Sequence, residues 1–251
     1  MYRHVKGNVI QDCILHHLDD NPTNIVDVVA AELPVPRHRV NRHVRRLVND
    51  GIIESMGLAG QPYYALKVFH NKEFRVFLSS NTPQVEQTWL NEIEPMLAEL
   101  PENVLSIWRY GFNAILHNAE IHSDADSVLV CLKKTALTVE ISLLDDGQGI
   151  FQHLCRALQL PDESCAVDHI LEHWQSRAES ETARKSISRA VCLFDQIVIL
   201  SGQTYLSYKR SRQDPPNMAV RCQAERAGLN KGTLVSIKLF NDVKHGLSDY
   251  G

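Results

Sequence analysis

Residues 104–151 read VLSIWRYGFNAILHNAEIHSDADSVLVCLKKTALTVEISLLDDGQGIF, and this stretch decides the fold. Its first part, Val104 through Glu120, has apolar residues at helical spacing and predicts a long amphipathic helix. That helix ends on His117-Asn118-Ala119-Glu120-Ile121-His122-Ser123. Ser127–Leu132 and Leu137–Leu144 read as two strands around a turn at Lys133–Thr135. Asp145-Asp146-Gly147-Gln148-Gly149 then forms a glycine-rich turn. Much later, Lys231-Gly232-Thr233 opens a further strand that runs to Leu239.

A helix carrying Asn-Ala-x-x-His-Ser, two strands, an Asp-x-Gly-x-Gly turn 27 residues after the asparagine and a late Gly-Thr strand form an ordered set. It resembles the GHKL superfamily, which includes gyrase, heat-shock-90 chaperones, histidine kinases and mismatch-repair ATPases. The helix end looks closest to bacterial ATPase domains fused to winged helices. The resemblance implies an α/β-sandwich Bergerat domain over 101–240 that takes ATP (or ADP) with Mg2+. It also implies roles residue by residue. Asn118 would be the Mg2+ ligand, and a carboxamide oxygen suits such a hard cation. Asp145 would accept a hydrogen bond from the adenine amino group. Gly147 and Gly149 would let the backbone approach the base. Thr233 would help close the pocket, and His122, one turn after Asn118, would approach the phosphates. The competing reading is an ordinary surface turn at 145–149 and a polar helix end at Asn118.

Two departures from the family pattern bear on activity. Many relatives carry a water-polarising glutamate four residues before the asparagine, and here that position is Ala114. Asn113 beside it is no base. General-base catalysis typically contributes ~10²–10⁴-fold, so hydrolysis is expected to be weak or absent. The family's glycine-rich lid should fall around 176–190, where this chain has no glycine; Arg184 and Lys185 are the residues there that could still meet phosphates. Two alternatives therefore stand beside a nucleotide sensor: an active ATPase or kinase, and a nucleotide-free scaffold. Histidine-kinase activity in cis is not expected, because no helix pair with a phospho-acceptor histidine precedes the domain. His169-Ile-Leu-Glu172-His173 matches the HxxEH peptidase pattern, but it sits in a helix-periodic stretch and reads as an incidental histidine pair.

Outward toward the N-terminus, Val9, Ile10, Cys13, Ile14 and Leu18 predict a helix near 8–19. Ile25, Val28, Val29 and Leu33 predict a second over about 24–33. Pro34-Val35-Pro36 forces a turn, and a third helix follows over about 36–50 with Val40, Val44, Leu47 and Val48 inward. Short strands at 52–56 and 63–66 flank Gly57–Pro62. Pro36–Arg46 reads PRHRVNRHVRR, with five arginines, two histidines and no acid. Three helices and a hairpin over 1–68 resemble winged helix-turn-helix transcription regulators, in which the helix after the turn enters the DNA major groove. That resemblance makes Arg37, His38, Arg39, Asn41, Arg42, Arg45 and Arg46 candidate DNA contacts. A solvated helix face, or a winged helix used for protein contact, is the alternative.

The whole chain has 251 residues, is 44% hydrophobic and 22% charged, and carries a net charge of −4, which excludes wholesale disorder and fits one to two domains. The fold class expected is α+β. A helical connector is expected over 69–100, with Phe69–Leu78 a strand or connector and Val85–Leu100 helical, and a short tail over 241–251. The connector together with the long helix, 83–120, would transmit nucleotide state to the winged helix. Apolar runs are too short for a membrane helix, and the N-terminus lacks a signal-peptide core. Six scattered cysteines without a CxxC pair suggest neither a disulfide framework nor a zinc ribbon. A cytoplasmic protein is expected, with DNA and an adenine nucleotide as partners. A separate output-domain protein and a homodimer, which would suit paired half-sites, complete the expected partners.

Overall fold

Ile10, Ile14 and Leu18 recur every fourth residue and are all fully buried, which winds the segment into α1 (Gly7–His17) against its neighbours. The computed structural model describes residues 6–57, 62–78, 84–175, 193–210 and 231–246. These form a mixed α+β protein. The chain divides into two compact units, Met1–Phe69 with Lys134–Leu137, and His70–Lys133 with Thr138–Gly251.

In the first unit, α1 packs with α2 (Ile25–Glu32) and α3 (Arg37–Asn49). Pro36 caps the start of α3, where a missing N–H does no harm. Val40, Val44 and Leu47 turn inward at helical spacing, which leaves the arginines outward. β1 (Ile53–Met56) and β2 (Tyr63–Leu66) pair antiparallel from Ile53↔Leu66 to Met56↔Tyr63. Ile53 and Leu66 close the core from the sheet side. Each of these aliphatic side chains contributes about 1.5–3 kcal/mol by leaving water. Residues 58–61, at the tip of the hairpin, lie outside the described residues.

The second unit is built on a six-stranded sheet in the order β3-β4-β5-β8-β6-β7. Its strands are β3 (Val68–Phe77), β4 (Ser127–Thr135), β5 (Thr138–Asp145), β6 (Gln196–Ser201), β7 (Thr204–Lys209) and β8 (Thr233–Phe240). Alternate residues of the strands, such as Val130, Ile141, Ile237 and Ile199, are buried in one core with α6 (Glu102–His122). Phe151 of α7 (Ile150–Leu158) and Val167 of α8 (Glu163–Gln175) join the same core. On the opposite faces of β5 and β8, Ser142 Oγ donates to Ser236 Oγ at 2.9 Å.

The stretch expected as a helical connector over 69–100 is a correction. Residues 68–77 are the edge strand β3, whose Lys72, Phe74 and Val76 alternate toward the core side. Helix begins only at Gln84 with α4 (Gln84–Thr88), widens to a π-helical turn over Trp89–Ile93 and continues as α5 (Glu94–Leu97). Pro95 explains the widening. It has no N–H for the Asn91 carbonyl and its ring crowds that carbonyl, so the helix opens and the Glu94 N–H bonds to Trp89 O instead. Residues 79–83 lie outside the described residues.

Gly111 sets the depth at which α6 meets the rest of its core. Phe194 lies against Gly111 so closely that a β-carbon there would overlap the ring, and the same ring meets Trp108 edge-on at 4.9 Å between centroids. Gly111→Ala gains about 1 kcal/mol of helix propensity but overpacks the core by about 1–3 kcal/mol. A net loss of about 1 kcal/mol or more is expected in urea denaturation. In a Phe194→Leu background the same substitution should become neutral or stabilising; equal losses in both backgrounds would show that the ring does not set the spacing.

Candidate functional site

Sheet register builds the site. β8 pairs with β5 up to Leu144↔Leu234 and with β6 at Ser201↔Thr233. Asp145, Thr233 and Ser201 therefore meet at one end of the sheet, and all three are buried. Asp145 Oδ1 accepts the Gly147 N–H at 2.9 Å and the Thr233 N–H at 3.2 Å. The Thr233 hydroxyl accepts the N–H of Ile150, the first residue of α7, at 3.0 Å. Burial raises the Asp145 pKa above the usual carboxylate range; the bonds from Gly147 and Thr233 oppose the rise without cancelling it.

The space around this carboxylate is filled by backbone. Gly149 has φ +94°, and a β-carbon on it would stand 2.6 Å from Ser201 Oγ. Gly232 has φ +89° and lies directly on the Asp145 carbonyl, so a side chain there would be strained and would also collide. Ser201 Oγ donates to Gly232 O at 3.2 Å. Gly147 lies against Ser123, the residue that ends α6, and the Gln148 N–H donates to Ser123 O at 2.7 Å.

Asp146 has a separate task. Its Oδ1 accepts the N–H groups of Asp126 (2.8 Å) and Ser127 (3.1 Å), and its Oδ2 accepts the Ser127 hydroxyl at 2.9 Å. Burial works against its charge, but these bonds outweigh it and hold the carboxyl below its ordinary range. Asp146 thus fastens the segment after α6 to the turn at 145–149.

Of the residues read from the sequence, Asp145, Gly147, Gly149 and Thr233 come together in this cluster. Asn118 is half-buried in the penultimate turn of α6, and His122 is exposed one turn further on. The His122 ring lies 5.6 Å from that of His153 on α7. Burial, then the neighbouring His153 and His117, lower the His122 pKa. Ala114 is half-buried. Beside it, Asn113 Nδ2 donates to Glu86 Oε2 at 3.2 Å, while Arg109 bonds Glu86 Oε1. The expected lid over 176–190, with Arg184 and Lys185, lies outside the described residues, as do the side chains of Glu172 and His173.

Sequence reasoning missed Ser123, Ser201 and Gly232 as parts of the cluster. It also missed a cleft of about 250 Å³ alongside, lined by Gly147, Gln148, Gln152, Arg156, Gly202, Lys231 and Gly232. Gln148, Gln152 and Arg156 fall at i, i+4 and i+8, and Arg156 donates to Gln148 Oε1 at 2.8 Å. That spacing was the available signal. Asn118, His122, Asp145 and Thr233 are not among the described lining residues.

On α3, Arg37, His38, Arg42, Arg45 and Arg46 are exposed and Arg39 and Asn41 half-buried. Arg37 is paired with Asp27 at 2.9 Å and Arg46 with Asp50 at 3.5 Å. Burial, followed by the charges of Arg39, Arg46 and Arg42, lowers the His43 pKa. No protein-family model matches the chain, and no curated protein matches it. No helix among the described residues is long and apolar enough to cross a membrane.

Because the folded state holds the Asp145 proton longer than the unfolded chain does, folded protein binds more protons between the ordinary carboxyl pKa and the raised one. Stability contributed by this group is therefore lost as pH rises through that window. Asp145→Asn keeps an acceptor oxygen for both N–H groups and removes the titration. Denaturation midpoints followed across the acidic range should fall for the wild type relative to Asp145→Asn as pH rises. Parallel profiles would rule out a penalised buried carboxylate.

Proposed function

We propose that the chain is a DNA-binding regulator, with a winged helix over 1–68 and a GHKL-like adenine-nucleotide-sensing domain over 101–240 that hydrolyses weakly or not at all. The observation that carries the nucleotide reading is the buried Asp145, held by the Gly147 and Thr233 N–H groups beside a cleft that Gly147 and Gly232 line. A carboxylate offers about four lone-pair sites. Two backbone N–H groups fill part of this capacity, and the remainder suits an exocyclic amine such as that of adenine. Gly147 and Gly232 also line the cleft alongside, where a base would lie. Asn118 on the adjoining helix end would hold Mg2+, which supplies charge neutralisation for the phosphates. Ala114 provides no base. Glu86 does not replace it, since Arg109 and Asn113 engage both of its oxygens.

The DNA reading rests on α3, which follows the Pro34–Pro36 turn and precedes a hairpin, as in helix-turn-helix readers. Arg42 and Arg45 are its exposed cations outside the two ion pairs, and both project from the face opposite Val40, Val44 and Leu47. Sensing in this scheme requires the two nucleotide states to differ in DNA affinity.

Calorimetry with Mg-ATP tests the first half. Binding by the wild type is expected to disappear in Asp145→Asn. In that variant the amide oxygen must stay toward the two N–H donors, which turns an NH2 group toward the adenine amine. Equal binding by both chains would refute the adenine assignment, and no binding by either would favour the nucleotide-free scaffold. For the second half, duplex-DNA binding should weaken with rising salt, and Arg42→Ala and Arg45→Ala should each lower the log–log salt slope by about 0.9. A slope unchanged by both substitutions would mean that this helix does not meet phosphates.

A further inference from the structure

Away from the nucleotide cluster, the first unit brings three metal-ligating side chains together. Cys13 and His17 stand four residues apart on α1, so they share a face. Glu32, the last residue of α2, reaches the same point. One ligand atom from each, a sulfur, a ring nitrogen and a carboxylate oxygen, lies within 4.8 Å of the others. His17 Nε2 is 2.7 Å from Glu32 Oε2. Tetrahedral zinc takes sulfur at about 2.3 Å and nitrogen or oxygen at about 2.0–2.2 Å, which sets donors roughly 3.3–3.7 Å apart. The trio reaches that spacing if the His17–Glu32 contact opens by roughly half an ångström and any pair as far apart as 4.8 Å closes by about 1 Å.

The Cys13 thiol hydrogen-bonds the same Glu32 carboxylate, so all three ligand groups converge on one point. Cys13 is half-buried and packs against the core of the unit, so its sulfur is held in place. Burial and then Glu32 push this thiol up to about 11, so it is protonated at neutral pH in the absence of a cation. Thiol, imidazole and carboxylate together form a donor set of mixed softness. It suits zinc-like ions and not magnesium or calcium, which take oxygen ligands. Glu32 is exposed, which leaves the fourth position open to solvent.

We propose that Cys13, His17 and Glu32 form a binding site for a divalent cation of borderline softness, zinc foremost, with water or an external ligand in the fourth position. On binding, Cys13 gives its proton to solvent, and one thiolate and one carboxylate neutralise the two positive charges. The cation fastens α1 to α2, and both helices pack against α3. The assignment stands independently of the nucleotide and DNA readings.

Titration of the full, reduced, metal-free chain with Co2+ tests it. A thiolate-to-cobalt charge-transfer band is expected, saturating at one ion per chain and displaced by zinc. Cys13→Ser should abolish the band and Cys131→Ser should leave it intact. Glu32→Gln alters an exposed side chain, and His17→Gln a half-buried one. Each should weaken zinc, measured by chelator competition, by at least the roughly 10–100-fold that loss of an outer-shell partner produces. Circular dichroism of each metal-free variant checks that it is folded; if Cys13→Ser is not, the other two variants decide. Absence of the band in the wild type, its survival in folded Cys13→Ser, or unchanged zinc affinity in both His17→Gln and Glu32→Gln would overturn the site.

Discussion

One buried carboxylate organises the end of the second unit's sheet. Asp145 ends β5, and its Oδ1 ties the turn at Gly147 to the start of β8 at Thr233. Thr233 then fixes the first N–H of α7. The neighbouring β5 and α7 are thereby joined through two side chains to β8, which is far away in sequence. Leaving either backbone N–H unmatched in a buried site would cost about 1–3 kcal/mol, so the carboxylate contributes to the fold even though its own charge is penalised there. The glycines follow from this arrangement. With Asp145 drawn toward β8, its carbonyl lies directly on Gly232, and Ser123 lies directly on Gly147. No side chain fits either place.

The adjacent aspartates show how local hydrogen bonding divides identical chemistry. Asp145 is buried and raised; Asp146 is satisfied by Ser127 and Asp126 and lowered. A sequence reader sees Asp-Asp and has only the family pattern to choose between them. The structure separates them by partners: one faces backbone donors inside the sheet end, the other secures the loop after α6. This second contact matters for the site as well, because it holds the helix end that carries Asn118 and His122 beside the turn.

Much of the architecture was legible because periodicity is a local property. The helix read over 104–120 extends to 102–122, and the strand read at 63–66 has those bounds. β3 stood as one of two readings of 69–78, strand or connector, because Lys72, Phe74 and Val76 make a poor apolar alternation at a sheet edge. The π-helical turn needed the joint effect of Pro95 and packing at Trp89, which no periodic pattern encodes. Ser123, Ser201 and Gly232 were invisible for another reason. Ser201 and Gly232 belong to the site only through a register that pairs residues about 30–90 positions apart, and Ser123 through the return of the 145–149 turn onto the end of α6. The Cys13–His17 spacing was readable, whereas Glu32 joins them only through the packing of α1 on α2.

The proposed separation of recognition from turnover follows from how the two would be encoded. Recognition would use Asp145, the glycines and Thr233, each of which is also fixed by core packing or by a backbone hydrogen bond. Substitution there disturbs the fold itself. A catalytic base, by contrast, is a single side chain projecting from one turn of α6, and alanine at 114 sits in the helix with the best intrinsic propensity. Nothing in the fold opposes that exchange. Glu86 has one oxygen on Arg109 and the other on Asn113, so it serves to tie α4 to α6. A base must keep a lone pair available to the water that it activates. Under the proposed function, the recognition residues would be retained for the fold whether or not a base stood beside them, and a sensor would need only recognition.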